Sequence, residues 1–126
     1  MTRVIFLLVL LLPVTLASPA LLAAASDLNR FPDSWENPVS AGAIHTCAID
    51  VTGVHCWGSN RHGQARVPAL SNPMQVSAGT FHTCALDDIG IRCWGLNSHG
   101  QTTVPALSNP VQVSADRDYT CALDDT

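Results

Sequence analysis

The 126 residues include six arginines, no lysine and ten acidic side chains, for a net charge of −4 at neutral pH. Phosphate recognition needs clustered positive charge, and the chain has no basic run, so nucleic acid is not an expected partner. Hydrophobic residues make up 47% of the chain, a figure inflated by one N-terminal segment.

Met1-Thr2-Arg3 precedes an uncharged run from Val4 to Ser26 that ends in small residues. A basic start, an apolar stretch and a small-residue tail predict a signal peptide over residues 1–25, cut after Ala23-Ala24-Ala25 or at Ser18-Pro19-Ala20. Left uncleaved, the run is long enough to span a bilayer, so a membrane enters only in that case. The expected location is secreted, periplasmic or cell surface. Residues 26–38 read as an N-terminal linker, with Phe31 and Trp35 as a crude cap on the unit that begins at Val39.

From Val39 a 37-residue block is written twice and begun again: repeat 1 over 39–75, repeat 2 over 76–112 and a truncated repeat 3 over 113–126. The first two match at 25 of 37 positions. A fixed period of this kind is the signature of repeat architecture. It also supplies an internal comparison, because a residue the unit's fold needs recurs at each step.

Short apolar runs separated by Gly, Pro, Asn and Asp predict strands, with no helical period. In repeat 2 the expected strands are Met74–Ala78, Phe81–Leu86, Ile91–Gly95 and Thr102–Val104, with a turn at Asp87-Asp88-Ile89-Gly90. Four-stranded antiparallel blades repeated head to tail make an all-β, incomplete β-propeller of about two and a third repeats. Trp57 and Trp94 recur at the same step and are expected to pack between blades.

With the turn centred between Asp88 and Ile89, Cys84 faces Cys93 and Leu86 faces Ile91. Opposed strand positions come within reach of a disulfide, and a secreted chain meets an oxidising compartment. The expected pairs are Cys47 with Cys56 and Cys84 with Cys93. Each closes a loop worth about 2.7 kcal/mol by chain entropy. Cys121 matches Cys47 and Cys84, but its partner position lies beyond Thr126, so it is expected to be unpaired.

His45, Cys47, His55 and Cys56 crowd together as zinc ligands would. The comparison of repeats argues against this, since Arg92 replaces His55, and Tyr119 replaces His45 and His82. No metal or cofactor is expected, and His82 is assigned a structural hydrogen bond within its blade. Repeat 3 is altered: Asp116 stands where Gly42 and Gly79 do, and Asp118 where Ile44 and Phe81 do. Asp enters a left-handed turn less easily than Gly, which predicts a local cost at Asp116.

The elements HTCAxD, then G, CWGxNxHGQ and VPALSNP resemble the repeats of the regulator of chromosome condensation family. The resemblance runs from about Val39 to Asp125 and implies blades of a closed propeller. Short units of this type occur in secreted bacterial proteins, and β-lactamase-inhibiting propellers are a related group. The founding activity of that family, nucleotide exchange on a small GTPase, is one function the resemblance implies. An exported protein would not meet that partner, and the compact units leave no room for a long inserted element.

The reading that results is a secreted or periplasmic module for protein–protein interaction, cut from a longer propeller, with an unidentified protein partner. A propeller ring needs at least four blades, so self-assembly of copies is a second way to cover the exposed blade faces. The expected contacts lie in the equivalent turns Asn60–Gln64 and Asn97–Gln101, carried by Arg61, His62, Ser98 and His99. A hydrolase is the remaining alternative, resting on Asp87-Asp88 and Asp124-Asp125. Repeat 1 has Asp50-Val51 there, and Asp is favoured in turns, so no catalytic residue is expected.

Overall fold

The computed structural model describes residues 38–126. The predicted signal peptide and the proposed Phe31 and Trp35 cap lie outside the described residues. Eight strands succeed one another: β1 Val39–Ala41, β2 His45–Asp50, β3 Gly53–Gly58, β4 Gln75–Ala78, β5 His82–Asp87, β6 Gly90–Gly95, β7 Pro110–Ala115 and β8 Thr120–Asp124. They form three antiparallel sheets, β1-β2-β3, β4-β5-β6 and β7-β8, one for each repeat.

The hairpins arise from their turn chemistry. Asp87 Oδ1 accepts the amides of Ile89 and Gly90 at 2.9 and 3.0 Å, and Gly90 takes a φ of +143° that a side chain would resist. Asp50 Oδ1 accepts the amide of Thr52 at 2.7 Å in the first unit. These turns set the register: Cys47 lies opposite Cys56, Cys84 opposite Cys93 and Leu86 opposite Ile91. Both cysteine pairs are disulfide-bonded, with Cα atoms 4.1 and 4.0 Å apart. Cys121 is free and exposed.

The fourth strand expected at Thr102–Val104 does not form, and the described sheets hold at most three strands. The amides of Thr102 and Thr103 are already committed to Asn97 Oδ1 and the Gly100 carbonyl, and Pro105 has no N–H to give. The segment from each turn to the next unit therefore runs without a ladder partner, although its Thr and Val residues favour strand.

The core lies where units meet. Cys47, Ile49 and Val76 form one buried cluster, and Cys84, Leu86 and Val113 form the next, so each disulfide packs against the first strand of the following unit. Burial of such a Val or Leu is worth about 1.5–3 kcal/mol relative to exposure. β5 has a unit on either side and is buried along its whole length, whereas in β2 buried and half-buried residues alternate. A strand covered on both faces loses its polar alternation, and that difference separates the central unit from the first.

Candidate interaction surface

Asn60–Gln64 and Asn97–Gln101 leave β3 and β6 as equivalent turns, at the end of the sheet opposite the hairpins. Asn60 Oδ1 accepts the amide of Ala65 at 3.0 Å, and Asn97 Oδ1 accepts that of Thr102 at 2.9 Å. Gly63 and Gly100 both sit at φ +80°. Gln64 and Gln101 are buried, and their Oε1 atoms accept the amides of His62 and His99 at 2.9 and 2.8 Å. Asn, Gly and Gln are thus consumed by the turn itself. The expected contact residues Arg61, His62, Ser98 and His99 are all exposed on this fixed frame. Ser98 Oγ lies 3.1 Å from His99 Nδ1, and the His62 ring meets the Phe81 ring edge-on at 5.2 Å.

Beneath these turns runs a polar ladder between units. His45 Nε2 lies 2.7 Å from Thr83 Oγ1, and Thr83 donates to the Gln64 carbonyl at 2.8 Å. One junction later His82 Nε2 lies 2.9 Å from Thr120 Oγ1, which donates to the Gln101 carbonyl at 2.8 Å. The hydroxyl proton is spent on the carbonyl, so the imidazole must donate from Nε2. The Nδ1 atoms of both histidines are buried and, among the described residues, have no hydrogen-bond partner. Burial holds the pKa of each below the ordinary histidine value; His82 adds to the effect at His45, and Asp118 opposes it at His82. The bond expected for His82 within its own blade therefore crosses to the next unit instead.

Further links cross the same junctions. Ser40 Oγ accepts the amide of Ala78 at 2.9 Å, and Ser77 Oγ that of Ala115 at 2.8 Å. Gln75 Oε1 accepts the amide of Val113 at 2.8 Å. Trp94 donates its indole N–H to the Gln64 carbonyl at 2.9 Å, placing one of the two recurring tryptophans between units as expected. Trp57 is 54% exposed. Gly42 and Gly79 are needed for close approach and not for a left-handed turn, since neither has a positive φ. A Cβ on Gly42 would collide with the Gly79 carbonyl oxygen, and one on Gly79 with that of Asp116. Asp116 stands at the third such position and accepts the Tyr119 hydroxyl at 2.6 Å, so the cost expected from a left-handed turn does not apply to it.

The paired carboxylates serve the backbone. Asp87 is 2% exposed and accepts the amide of Ser71 at 3.0 Å besides those of its own turn, with Arg92 Nε 3.5 Å away. Asp124 accepts the amides of Ser108 and Asn109 at 2.9 and 2.6 Å. Asp88 binds the side-chain amide of Asn72 at 2.9 Å, and hydrogen bonds from Ser71 and Asn72 lower its pKa. Each pair fastens a hairpin to the Ser-Asn-Pro segment before its own unit.

The family model described as "Regulator of chromosome condensation (RCC1) repeat" matches residues 39–64 and 75–101. Comparison with curated protein sequences gives no match. Among solved structures, the chain is similar to Prp20p from Saccharomyces cerevisiae, a protein described with its binding to Gsp1p and histones. The TM-score is 0.59 at 19% identity, over 68% of this chain and 28% of that one. It is also similar to the ectodomain of the receptor kinase CR4 from Physcomitrella patens, with a TM-score of 0.59 at 24% identity, over 68% of this chain and 25% of that one. The ectodomain of the receptor kinase ACR4 from Arabidopsis thaliana gives 0.54 at 24% identity, over 70% and 32%. The chain spans between a quarter and a third of the length of these structures. Likeness at that identity carries the fold alone, that of β-propeller blades, and residues 39–64 and 75–101 are the two segments that match the regulator of chromosome condensation repeat.

Proposed function

We propose that the chain is an extracytoplasmic protein-binding module that presents the variable positions of its Asn-x-His-Gly-Gln turns to a partner. The observation that carries this reading is the division of labour inside each turn. Asn, Gly and Gln hold the backbone, while Arg61 in one turn and Ser98 in the other project from the same place on the same frame. Variation at one exposed position on a rigid repeat is how such surfaces acquire specificity. The two cross-strand disulfides support an oxidising compartment, and with it the reading of residues 1–25 as an export signal.

A photo-crosslinking amino acid placed at position 61 or 98, and at Val51 on the opposite hairpin as control, tests the assignment. Partner adducts are expected at 61 and 98, lost when the neighbouring His62 or His99 is changed to Ala. Adducts only at position 51, or equal at all three, would refute it. Export is tested separately with a reporter fused to residues 1–30, which must become active outside the cytoplasm.

A further inference from the structure

Arg61, Arg66, Arg92 and Arg117 are the arginines among the described residues, and two of them are already paired. Arg92 Nε lies 3.5 Å from Asp87 Oδ2, and Arg117 Nε lies 3.5 Å from Asp118 Oδ2. Arg61 and Arg66 are exposed, and among the described residues neither side chain has an ion-pair or hydrogen-bond partner.

Both belong to the first turn. Asn60 Oδ1 accepts the Ala65 amide at 3.0 Å and so ties the two ends of the loop together. Between them the Gly63 amide donates to the Asn60 carbonyl at 3.2 Å and the Arg66 amide to the Gly63 carbonyl at 3.0 Å. Arg61 follows one end of the tie and Arg66 the other, so the two side chains leave from neighbouring points of one closed loop. The second turn has the same ties: Asn97 Oδ1 with the Thr102 amide at 2.9 Å, and the Thr103 amide with the Gly100 carbonyl at 3.0 Å. It carries Ser98 and Thr103 where the first carries the arginines, so the frame does not need them. Two like charges on one loop repel, and no described carboxylate offsets them.

The guanidinium fork matches the two oxygens of a carboxylate, and a charge-assisted bond of this kind is about twice as strong as a neutral one. Two cations without a basic run are too few for a polyanion, whose binding grows with the number of charges neutralised. We propose that Arg61 and Arg66 form a carboxylate-recognising pair that selects a protein partner by an acidic segment, while Ser98 and His99 of the second turn make the neutral part of the contact. The proposal rests on the turn-surface reading and adds to it the charge of the partner.

The probe is the capped peptide Gly-Asp-Glu-Gly-Glu-Asp-Gly, titrated into the isotope-labelled whole chain and followed by NMR. Saturable shifts are expected at Asn60–Arg66, the arginine Nε–H signals included, and not at Asn97–Thr103. The same peptide with Asn and Gln in place of Asp and Glu should bind at least about tenfold more weakly. Arg61→Ser with Arg66→Thr gives the first turn the residues that the second already holds, so the fold is kept, and the acidic peptide should again lose at least about tenfold in affinity. No saturable shift, equal binding of the amide peptide, or unchanged affinity in the double variant would overturn the proposal. So would tighter binding of a sulfated oligosaccharide, inorganic phosphate or phosphatidylserine vesicles through the same two arginines, since the pair would then serve another class of ligand. Partner crosslinks at positions 61 and 98 obtained beside such a result would leave the turn surface standing and remove only its preference for acid, whereas loss of the crosslinks as well would remove the surface itself.

Discussion

Replacing Thr83 by Val keeps the shape of a fully buried side chain and removes one oxygen, and it is expected to cost about 2–4 kcal/mol of stability. Thr83 Oγ1 receives the His45 Nε2 proton at 2.7 Å and donates to the Gln64 carbonyl at 2.8 Å. The loss of two neutral hydrogen bonds accounts for about 2 kcal/mol. Gln64 keeps the Trp94 indole as a donor, so its carbonyl is not orphaned. His45 fares worse: among the described residues Nδ1 already lacks a partner, and Nε2–H would join it in a buried ring, adding up to about 2 kcal/mol. Against the ~5–15 kcal/mol of a small domain this is a large fraction. Thr46 occupies the same position in the first unit and makes no side-chain hydrogen bond among the described residues, so Thr46→Val should cost less than about 1 kcal/mol. Urea unfolding at pH 7.5, tracked by tryptophan fluorescence, compares the two variants. Equal losses, or a Thr83→Val loss below about 1 kcal/mol, would refute the claim that this ladder couples the units.

Stability should be flat above pH 6.5 and fall as pH drops below it, because His45 and His82 take up protons more readily in the unfolded chain than in the buried ladder; urea midpoints between pH 7.5 and 5.0 test this, and a His45→Gln, His82→Gln double variant should lose the slope. Asp50, Asp88 and Asp116 have lowered pKa values, so their share of the acid sensitivity appears only as pH falls through and below 3.8. Gly79→Ala should destabilise by more than about 2 kcal/mol, because its Cβ meets the Asp116 carbonyl and the His82 ring, whereas Gly63→Ala meets open space and costs only the ~1–2 kcal/mol of a left-handed Ala. Reduction of the two disulfides should lower the urea midpoint, each bond being worth about 2.7 kcal/mol by chain entropy; an unchanged midpoint after verified reduction would contradict that figure.

The hairpins are legible in the sequence because their information is local. Cysteine spacing, an Asp-led turn and a Leu facing an Ile fix one register within fourteen residues, His82 to Gly95. The fourth strand is not, because Thr102–Val104 has strand composition, while its amides are claimed by Asn97 and Gly100 through a turn that composition does not display. The ladder between units is hidden for a different reason. His45 to Thr83, Ser40 to Ala78 and Gln75 to Val113 are all 38 residues apart, one repeat plus one residue. Aligning repeats sets each residue above its own copy, so recurrence of His, Thr, Ser and Gln is visible while their pairing is not. The Asp116 exception singles out Gly42 and Gly79, but the physical reason is a neighbouring carbonyl that only the packed units supply.

Repetition makes the two junctions comparable, and the comparison shows where they differ. Both keep the His–Thr–carbonyl relay and the serine link. At the first, Phe81 also packs against His62; at the second, Asp118 replaces that ring. The indole bond to Gln64 has no counterpart at Gln101 among the described residues. Repeat 3 also changes what it offers onward. Tyr119 stands in the histidine position and turns its hydroxyl onto Asp116, so it holds no imidazole for a following threonine. In a quasi-one-dimensional array stability is a sum of unit and junction terms, and the two described junctions differ in theirs: the first has the Phe81–His62 contact, the second the Gln75–Val113 bond.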